Sequence, residues 1–368
     1  MKVLFCSPCT RMDCGIAMVG RCVIRYHDSH NDNIELDVMS QDRKTDIKPS
    51  MSVFYRIYRG GVEYMSKLRE YRQRINQKRY DVIHITTSAS FGIIPCWIML
   101  KMAKKRDAKT VVHFHFGRIP EVCEQRNWEY KWIMKVCRLA DTAILIDEKS
   151  YNTLLDMGIV NVCYLPNPVA PAVLDIVSKS NVSRIRNQYL FVGHVWRAKG
   201  IYELVEAIKS FPEIKLKVIG AVTDIELQAL KKIAGDSIDR IEFLGAIPHN
   251  NVIEEMLKCD VFVLPTYTEG FPNVILESMA CGCPIIASSV GAIPQMLASE
   301  DLEKFGLLIQ PQSVESLKEA IATFINDEVL KNLAGINAQK RVNKLYSMPV
   351  VWEGYKNIWN KIANHLYN

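Results

Sequence analysis

The sequence predicts an α/β protein of two doubly wound, Rossmann-like parallel sheets that face each other across a cleft. Three observations carry this. Short β-branched runs alternate with helical stretches along the whole chain. The runs are apolar throughout rather than alternating, as strands covered on both faces must be. A proline-rich break, Pro166-Asn167-Pro168-Val169-Ala170-Pro171, separates an earlier series from a later one. At 368 residues the chain is too long for one ordinary core and comfortable for two.

In the first half the strands are expected at 3–7, 34–39, 82–86, 110–114, 142–146 and 162–165. In the second they are expected at 189–192, 216–219, 241–244, 261–265, 284–287 and 307–309. The first domain is read as 1–170 and the second as 186–349. The join is the proline-rich break and the polar stretch to Asn187. At the end of the chain Trp352, Tyr355, Trp359, Ile362 and Leu366 recur at helical spacing. They predict an amphipathic helix within 350–368 that docks back on the first domain. Ligands of open parallel sheets bind beyond the carboxyl ends of the strands, so the chemistry is sought in the loops that follow them.

A hydrophobic content of 49% with 23% charged residues fits a folded globular protein, not a disordered one. The longest apolar runs, such as 91–102, are interrupted or too short to span a bilayer. The N-terminal segment Met1-Lys2-Val3-Leu4-Phe5-Cys6-Ser7-Pro8 reads as a buried strand stopped by proline, shorter than a secretory leader. The expected location is cytoplasmic, with a peripheral position on the inner face of a membrane as an extension. Eleven scattered cysteines, an odd number, suit reduced thiols. Cys6-x-x-Cys9, with Cys14 and Cys22 near, is followed by no pair of matching spacing. Buried or loop thiols are expected there, and no metal. The net charge of +6 is uneven: residues 1–170 hold 26 Lys/Arg against 18 Asp/Glu, the remainder 20 against 22. An anionic partner is therefore sought in the first half.

The segment EGFPNVILESMACG begins at Glu269, just past a predicted strand, and carries Glu277 eight residues on. Pro272 suits a first helical position, and a helix should run over 273–281 and end near Gly282. A helix start at the cleft offers free N–H groups and a positive dipole end to a phosphate. The two acids would repel that phosphate but suit sugar hydroxyls. The layout points to a diphosphate with a hydroxylated group at each end. The alternative has Glu269 capping the helix and Glu277 as a solvated surface acid. A second segment, FVGHVWRAKGIYELVEAI, follows the first strand of the second half. Gly193 ends the strand, His194, Arg197 and Lys199 fill the loop, and Gly200 opens a helix. Cations here would face a diphosphate. With nothing to bind, Lys199 would be an ordinary surface lysine.

These segments, with IEFLGAIPHNN, CDVFVLPTYTEGFPNVILESMACGCPIIASSVGAIP and YLPNPV, resemble retaining glycosyltransferases of the GT-B fold, in family 4 (glycosyl transferases group 1). The likeness covers essentially the whole chain and is strongest over 193–294. It implies that Glu269 contacts the donor sugar and Glu277 the ribose. The backbone amides of Gly270, Phe271, Asn273 and Val274 would reach sugar and phosphates, Lys199 the diphosphate, and Ile247 the base. His194 stands where the family has arginine, so either a protonated His194 or Arg197 supplies the second charge. The family's Gly-Gly after the first strand is reduced to Gly15, and a late pattern reads Gly291-Ala292-Ile293-Pro294-Gln295. In Val111-Val112-His113-Phe114-His115 the two histidines point to one side, with His115 nearer the cleft. The resemblance makes His115 the functional one; by itself a strand histidine reads more readily as a satisfied core group.

The implied reaction moves a sugar from a nucleotide-diphosphate sugar, UDP- or GDP-linked, to an acceptor hydroxyl with retention. Surface polysaccharide or glycolipid assembly of the bacterial type is the expected setting. Lys199, Arg197 and the helix start would stabilise the leaving diphosphate. No D-x-D motif occurs, so neither a metal nor any cofactor is expected. No carboxylate stands out as a nucleophile, which favours same-face displacement assisted by the leaving phosphate. From 52 to 79 there are eight basic residues, Arg56, Arg59, Lys67, Arg69, Arg72, Arg74, Lys78 and Arg79, against Glu63 and Glu70. Five aromatic residues are interleaved. This suits an anionic membrane surface and a sugar or lipid-linked oligosaccharide acceptor, or else a solvated helix face with aromatics packed inside. No recognition motif points to nucleic acid. Competing readings are a nucleotide-sugar epimerase of GT-B shape and a non-catalytic nucleotide-sugar binder. The first needs acid–base pairs around the sugar ring; the second would be expected to lose Lys199 or Glu269. No G-x-G-x-x-G follows any strand, which disfavours a nicotinamide dehydrogenase.

Overall fold

The computed structural model describes residues 1–9, 15–30, 32–42, 52–297 and 304–364. Cys14, Leu366 and the Arg56 side chain lie outside the described residues. The chain divides into two compact units. Met1–Asn167 with the chain from Val351 onward forms the first, and Pro168–Val350 the second.

The first unit holds six parallel strands: β1 (Lys2–Ser7), β2 (Glu35–Ser40), β3 (Val82–Thr87), β4 (Lys109–Phe114), β5 (Thr142–Leu145) and β6 (Val162–Tyr164). Their order is β2-β1-β3-β4-β5-β6, so the winding reverses beside β1. The central strands are buried along nearly their full length, which is why they read as continuous apolar runs. Register sets Phe5 beside His84, His84 beside Val111, and Thr86 beside His113. The last helix, Met348–Ala363, buries Trp352, Tyr355, Trp359 and Ile362 in this unit. At Gly354 it passes Leu165 so closely that a Cβ would meet the leucine Cδ1 at 2.4 Å. The Trp352 indole N–H donates to Asp32 Oδ2 at 2.8 Å.

The second unit repeats the plan with β7 (Ile185–Val192), β8 (Lys215–Ile219), β9 (Ile241–Gly245), β10 (Cys259–Leu264), β11 (Ile285–Ser288) and β12 (Leu307–Ile309). The order is β12-β11-β10-β7-β8-β9, again parallel, with the reversal beside β7. All six residues of β10 are buried.

Every strand expected from the sequence is present, most with ends moved by a residue or two. β7 is the larger shift. It starts at Ile185 because its polar first half pairs with Cys259 and Lys215 on its neighbours. The join also differs from the irregular connection expected. Pro171 opens a helix, Pro171–Lys179. At the first helical position proline's missing N–H costs nothing and its fixed φ is already helical.

No helix of the described residues is long and apolar enough to cross a membrane. The ten described cysteines are all free. Cys6 is buried, and burial pushes its thiol well above the ordinary range.

Candidate active site

The predicted site residues of the second unit lie on loops that leave the carboxyl edge of its sheet and on a helix, Asn273–Ala280, that follows one of them. Those loops are locked to one another through glycines. Gly200 (φ +71°) leaves no room for a side chain, since a Cβ would fall 1.9 Å from the Pro265 carbonyl oxygen. At Gly220 a Cβ would meet the Gly193 oxygen at 1.8 Å, and at Gly291 the Glu269 oxygen at 2.1 Å. Backbone bonds complete the weave: Val195 N–H to Ala221 O at 3.0 Å, Tyr267 N–H to Ala198 O at 2.9 Å, and Ala292 N–H to Gly270 O at 2.9 Å. The loop carrying Glu269 and Gly270 is thus braced by the loops after β7 and β11.

The cations and acids meet on this frame. Lys199, at the end of the 3₁₀ turn Arg197–Lys199, forms an ion pair with Glu269. Both side chains are largely buried, at 22% and 16% exposure. The sequence pointed Lys199 at a diphosphate and Glu269 at a sugar; in the structure each is the other's partner. Arg197 and His194 are exposed. The Arg197 guanidinium lies 5.2 Å from the centre of the Tyr202 ring, and His194 leans on Trp196 at 5.8 Å.

Beyond Glu269 the chain turns through Gly270 and buried Phe271, whose ring meets Tyr346 edge-on at 5.7 Å. The helix Asn273–Ala280 follows. Pro272 at its N-cap makes no side-chain cap bond, and its first turn carries no acid. The positive end formed at Asn273 and Val274 is therefore not neutralised by the helix itself. Glu277 lies further along the same helix and is only 7% exposed. It is not the solvated surface acid of the alternative reading. Its Oε1 is bonded to His249 Nε2 at 2.9 Å, and that bond raises the His249 pKa above its ordinary value against the opposing effect of burial. Ile247, half-buried, sits two residues before His249 in the turn from β9, where Gly245 has φ +67°.

In the first unit His115 lies one residue past β4, where its N–H donates to Thr87 O at 2.9 Å. It ends a row of three imidazoles on one sheet face. The His113 and His115 ring centres are 4.1 Å apart, those of His84 and His113 5.4 Å. The last helix covers this row. Trp359 Nε1–H donates to His84 Nδ1 at 3.1 Å, and the Tyr355 hydroxyl bonds His113 Nδ1 at 3.3 Å. Burial lowers the pKa of His84 to about 3, of His113 well below its usual value, and of His115 to about 4, with an Asn167 hydrogen bond opposing the shift at His115. Gly15 is the exposed first residue of the helix Gly15–Ser29. The close approach to the chain after β1 belongs to Gly20, inside that helix, where a Cβ would fall 2.4 Å from the Pro8 oxygen.

Sequence reasoning missed His249, His84, Tyr355 and Gly20 as parts of the site or its support. His249 was within reach, as it stands in the segment IPHNN. His84 sits mid-strand in VIHITT, where nothing local separates it from a core residue. Among the described residues no group of three or more His, Cys, Asp or Glu side chains is placed to hold a metal ion.

Comparison with known proteins accords with this geometry. The model described as Glycosyltransferase Family 4 matches residues 27–173, and the one described as Glycosyl transferases group 1 matches 175–341. The chain belongs to glycosyltransferase family 4. This family 4 chain is 30% identical over 186 residues to the capsular polysaccharide biosynthesis glycosyltransferase CapM of Staphylococcus aureus, across 46% of this chain and 45% of CapM. The chain matches under half the length of that relative and of others like it. A longer match, 27% over 312 residues, covers 77% of this chain and 79% of an Escherichia coli UDP-Gal:alpha-D-GlcNAc-diphosphoundecaprenol alpha-1,3-galactosyltransferase. Among solved structures, Anabaena HepE in complex with UDP superposes with a TM-score of 0.73 at 16% identity, covering 98% of this chain and 100% of that one. The two-sheet α/β architecture is the GT-B fold of these glycosyltransferases.

Proposed function

We propose that the protein moves a sugar from a nucleoside diphosphate sugar, UDP-linked in preference to GDP-linked, to an acceptor hydroxyl. The setting is assembly of a bacterial-type surface polysaccharide or glycolipid. One observation carries the reading: a helix start without a cap of its own stands between two acids that are each already engaged by a basic side chain, Glu269 by Lys199 and Glu277 by His249. Such an arrangement fits a diphosphate at the helix start with hydroxylated groups on either side.

On donor entry Lys199 turns from Glu269 to the diphosphate, and Glu269 is released to accept hydrogen bonds from the sugar. The Asn273 and Val274 amides meet the phosphates, and Glu277 accepts from the ribose hydroxyls. As the bond from the anomeric carbon to the phosphate oxygen breaks, charge grows on the diphosphate, where Lys199 and the helix start stabilise it. Arg197 or a protonated His194 adds a second charge. The acceptor oxygen bonds the anomeric carbon on the face the phosphate leaves, and its proton passes to the departing phosphate oxygen. Configuration is retained, and no metal takes part. His115, neutral at pH 7, serves near the reacting carbon.

Donor and acceptor class find support in the relatives: HepE is described with UDP, and the Escherichia coli enzyme by its name uses UDP-Gal and a diphosphoundecaprenol-linked sugar. A lipid-linked acceptor also agrees with the helix Val53–Gln77, which leaves Phe54, Tyr58, Val62 and Met65 exposed along one face beside exposed Arg69 and Arg72. Basic, apolar helix faces of this kind bind anionic membrane surfaces.

The deciding experiment is a melting-temperature screen of the purified protein with UDP-, GDP-, ADP- and CMP-sugars. A ligand that binds the folded state raises the midpoint. A UDP-sugar should do so, and Glu277→Ala should abolish the shift. A panel in which no nucleotide sugar moves the midpoint ends the reading.

A further inference from the structure

A cavity of about 370 Å³ opens in the first unit at the carboxyl edge of β1, β2 and β3. None of the predicted catalytic or donor-binding residues lines it. Its size falls within the roughly 300–1,000 Å³ usual for small-molecule sites. Met39, Ile85, Cys96 and Met99 line it and are at most 5% exposed, so part of its wall is apolar and dry. Asp42, Lys67, Thr87 and Ser88 add polar groups to the lining.

Two features mark the cavity as built. The turn after β3, which supplies Ser88, holds Ala89 at φ 58°, ψ −140° and Ser90 at φ 51°. Residues with a Cβ rarely adopt such angles, and surrounding structure must hold them there. Here Thr87 Oγ1 accepts from the Ala89 N–H at 3.1 Å, and the buried Glu129 carboxylate accepts from the Ser90 N–H at 2.6 Å. The second feature is the helix Val53–Gln77. Tyr64, Lys67 and Leu68 line the cavity, while Phe54, Tyr58, Val62 and Met65 of the same helix remain open to solvent. One helix thus joins an exposed apolar stripe to the cavity.

We propose that this cavity receives the apolar chain of a phosphorylated single-chain amphiphile, the lipid-linked acceptor, with its head kept at the polar groups of the lining. The proposal rests on the sugar-transfer reading and gives its acceptor a place. In the apolar part of the cavity a free sugar fits less well, because hydroxyls set against Met39, Ile85 and Met99 would lose water to side chains that offer no oxygen or nitrogen partner. An alkyl or prenyl chain loses nothing there and gains burial. Lys67, which donates to the Gln41 carbonyl and shares the lining with Asp42, is the cation that a phosphorylated head would meet there.

The test is calorimetric titration of the full-length protein with farnesyl phosphate, 1-acyl lysophosphatidate, glucose 1-phosphate and inorganic phosphate, each below its aggregation limit. The titrations are repeated on Leu68→Trp, in which a larger side chain grows into the cavity. UDP is titrated into both proteins as a separate arm. At least one chain-bearing phosphate should bind, the two chainless phosphates should not, and Leu68→Trp should weaken the chain-bearing ligand about tenfold or more. UDP affinity should be equal in the two proteins, which also shows that the variant is folded. Preference for farnesyl phosphate assigns the chain to a prenyl source, and preference for lysophosphatidate to an acyl one; either supports the cavity. Chain-bearing ligands that bind no better than phosphate, or equally well to Leu68→Trp, overturn it. Loss of UDP binding by the wild-type protein would instead strike at the donor reading and leave the cavity result standing.

Discussion

Glu277 and His249 are bonded at 2.9 Å, the acid from inside a helix and the histidine from the first residue of another, 28 positions earlier. The bond raises the His249 pKa above 6.5. A histidine so shifted adds stability that is complete below its unfolded pKa and is lost as pH rises through the folded one. The wild-type protein should therefore exceed His249→Ala in stability at about pH 6, and the gap should close by about pH 9. With the imidazole nearly half exposed, solvent screens the pair, and the gap should be roughly 0.2–1 kcal/mol. Urea titrations at the two pH values measure it; a gap independent of pH argues against the ion pair.

The Lys199–Glu269 pair should behave as a unit. Removing one partner leaves the other charge largely buried and alone, so Lys199→Met and Glu269→Gln should each destabilise by about 1–3 kcal/mol. The double variant should lose less than the sum of the two, because no unpaired charge remains. Both single variants should lose about 10²–10³-fold in sugar-transfer rate, since in the proposed reaction both groups act on the donor. Strict additivity in urea unfolding would show that the pair contributes nothing to the fold.

Gly291 governs the Glu269 loop from outside it. A Cβ there would stand 2.1 Å from the Glu269 oxygen at a φ of +55°. Gly291→Ala should cost about 1–3 kcal/mol and displace the loop. UDP-sugar affinity should fall with it, although Gly291 contacts no ligand in the scheme above. Unchanged donor binding in the folded variant would separate the glycine from the site.

The row of three histidines makes the first unit acid-sensitive. Their folded pKa values lie below the unfolded value of 6.5, at about 3 for His84 and about 4 for His115. Unfolding therefore takes up protons. Stability is complete above the unfolded pKa and declines as pH falls from there toward the folded values, by up to about 1.4 kcal/mol per pH unit for each histidine. Unfolding followed from about pH 7 to pH 5 should show this slope, and His84→Gln should reduce it by about one histidine's share. An equal slope in the variant would mean that His84 is not held neutral.

Much of this molecule is legible residue by residue. Strands covered on both faces must be apolar throughout, so the central ones announce themselves in VIHITT, CDVFVL and their like. The helix at Asn273 follows from Pro272 and the apolar run after it, which places Glu269 before the helix and Glu277 within it. What the chain could not disclose is which groups meet. Lys199 and Glu269 are 70 residues apart, and Trp359 and His84 are 275 apart. Such pairings depend on strand order and on which helix covers which sheet face, and no local propensity encodes either. The sequence by itself determined the strands, the helix start and the kinds of side chain at the sheet edges. Tertiary structure alone decided that Lys199 rests on an acid, that a missed histidine holds the second acid, and that the last helix packs on the imidazole row. The physical reason is that burial of each sheet face sums contributions from distant segments, and partners are chosen only when that sum is made.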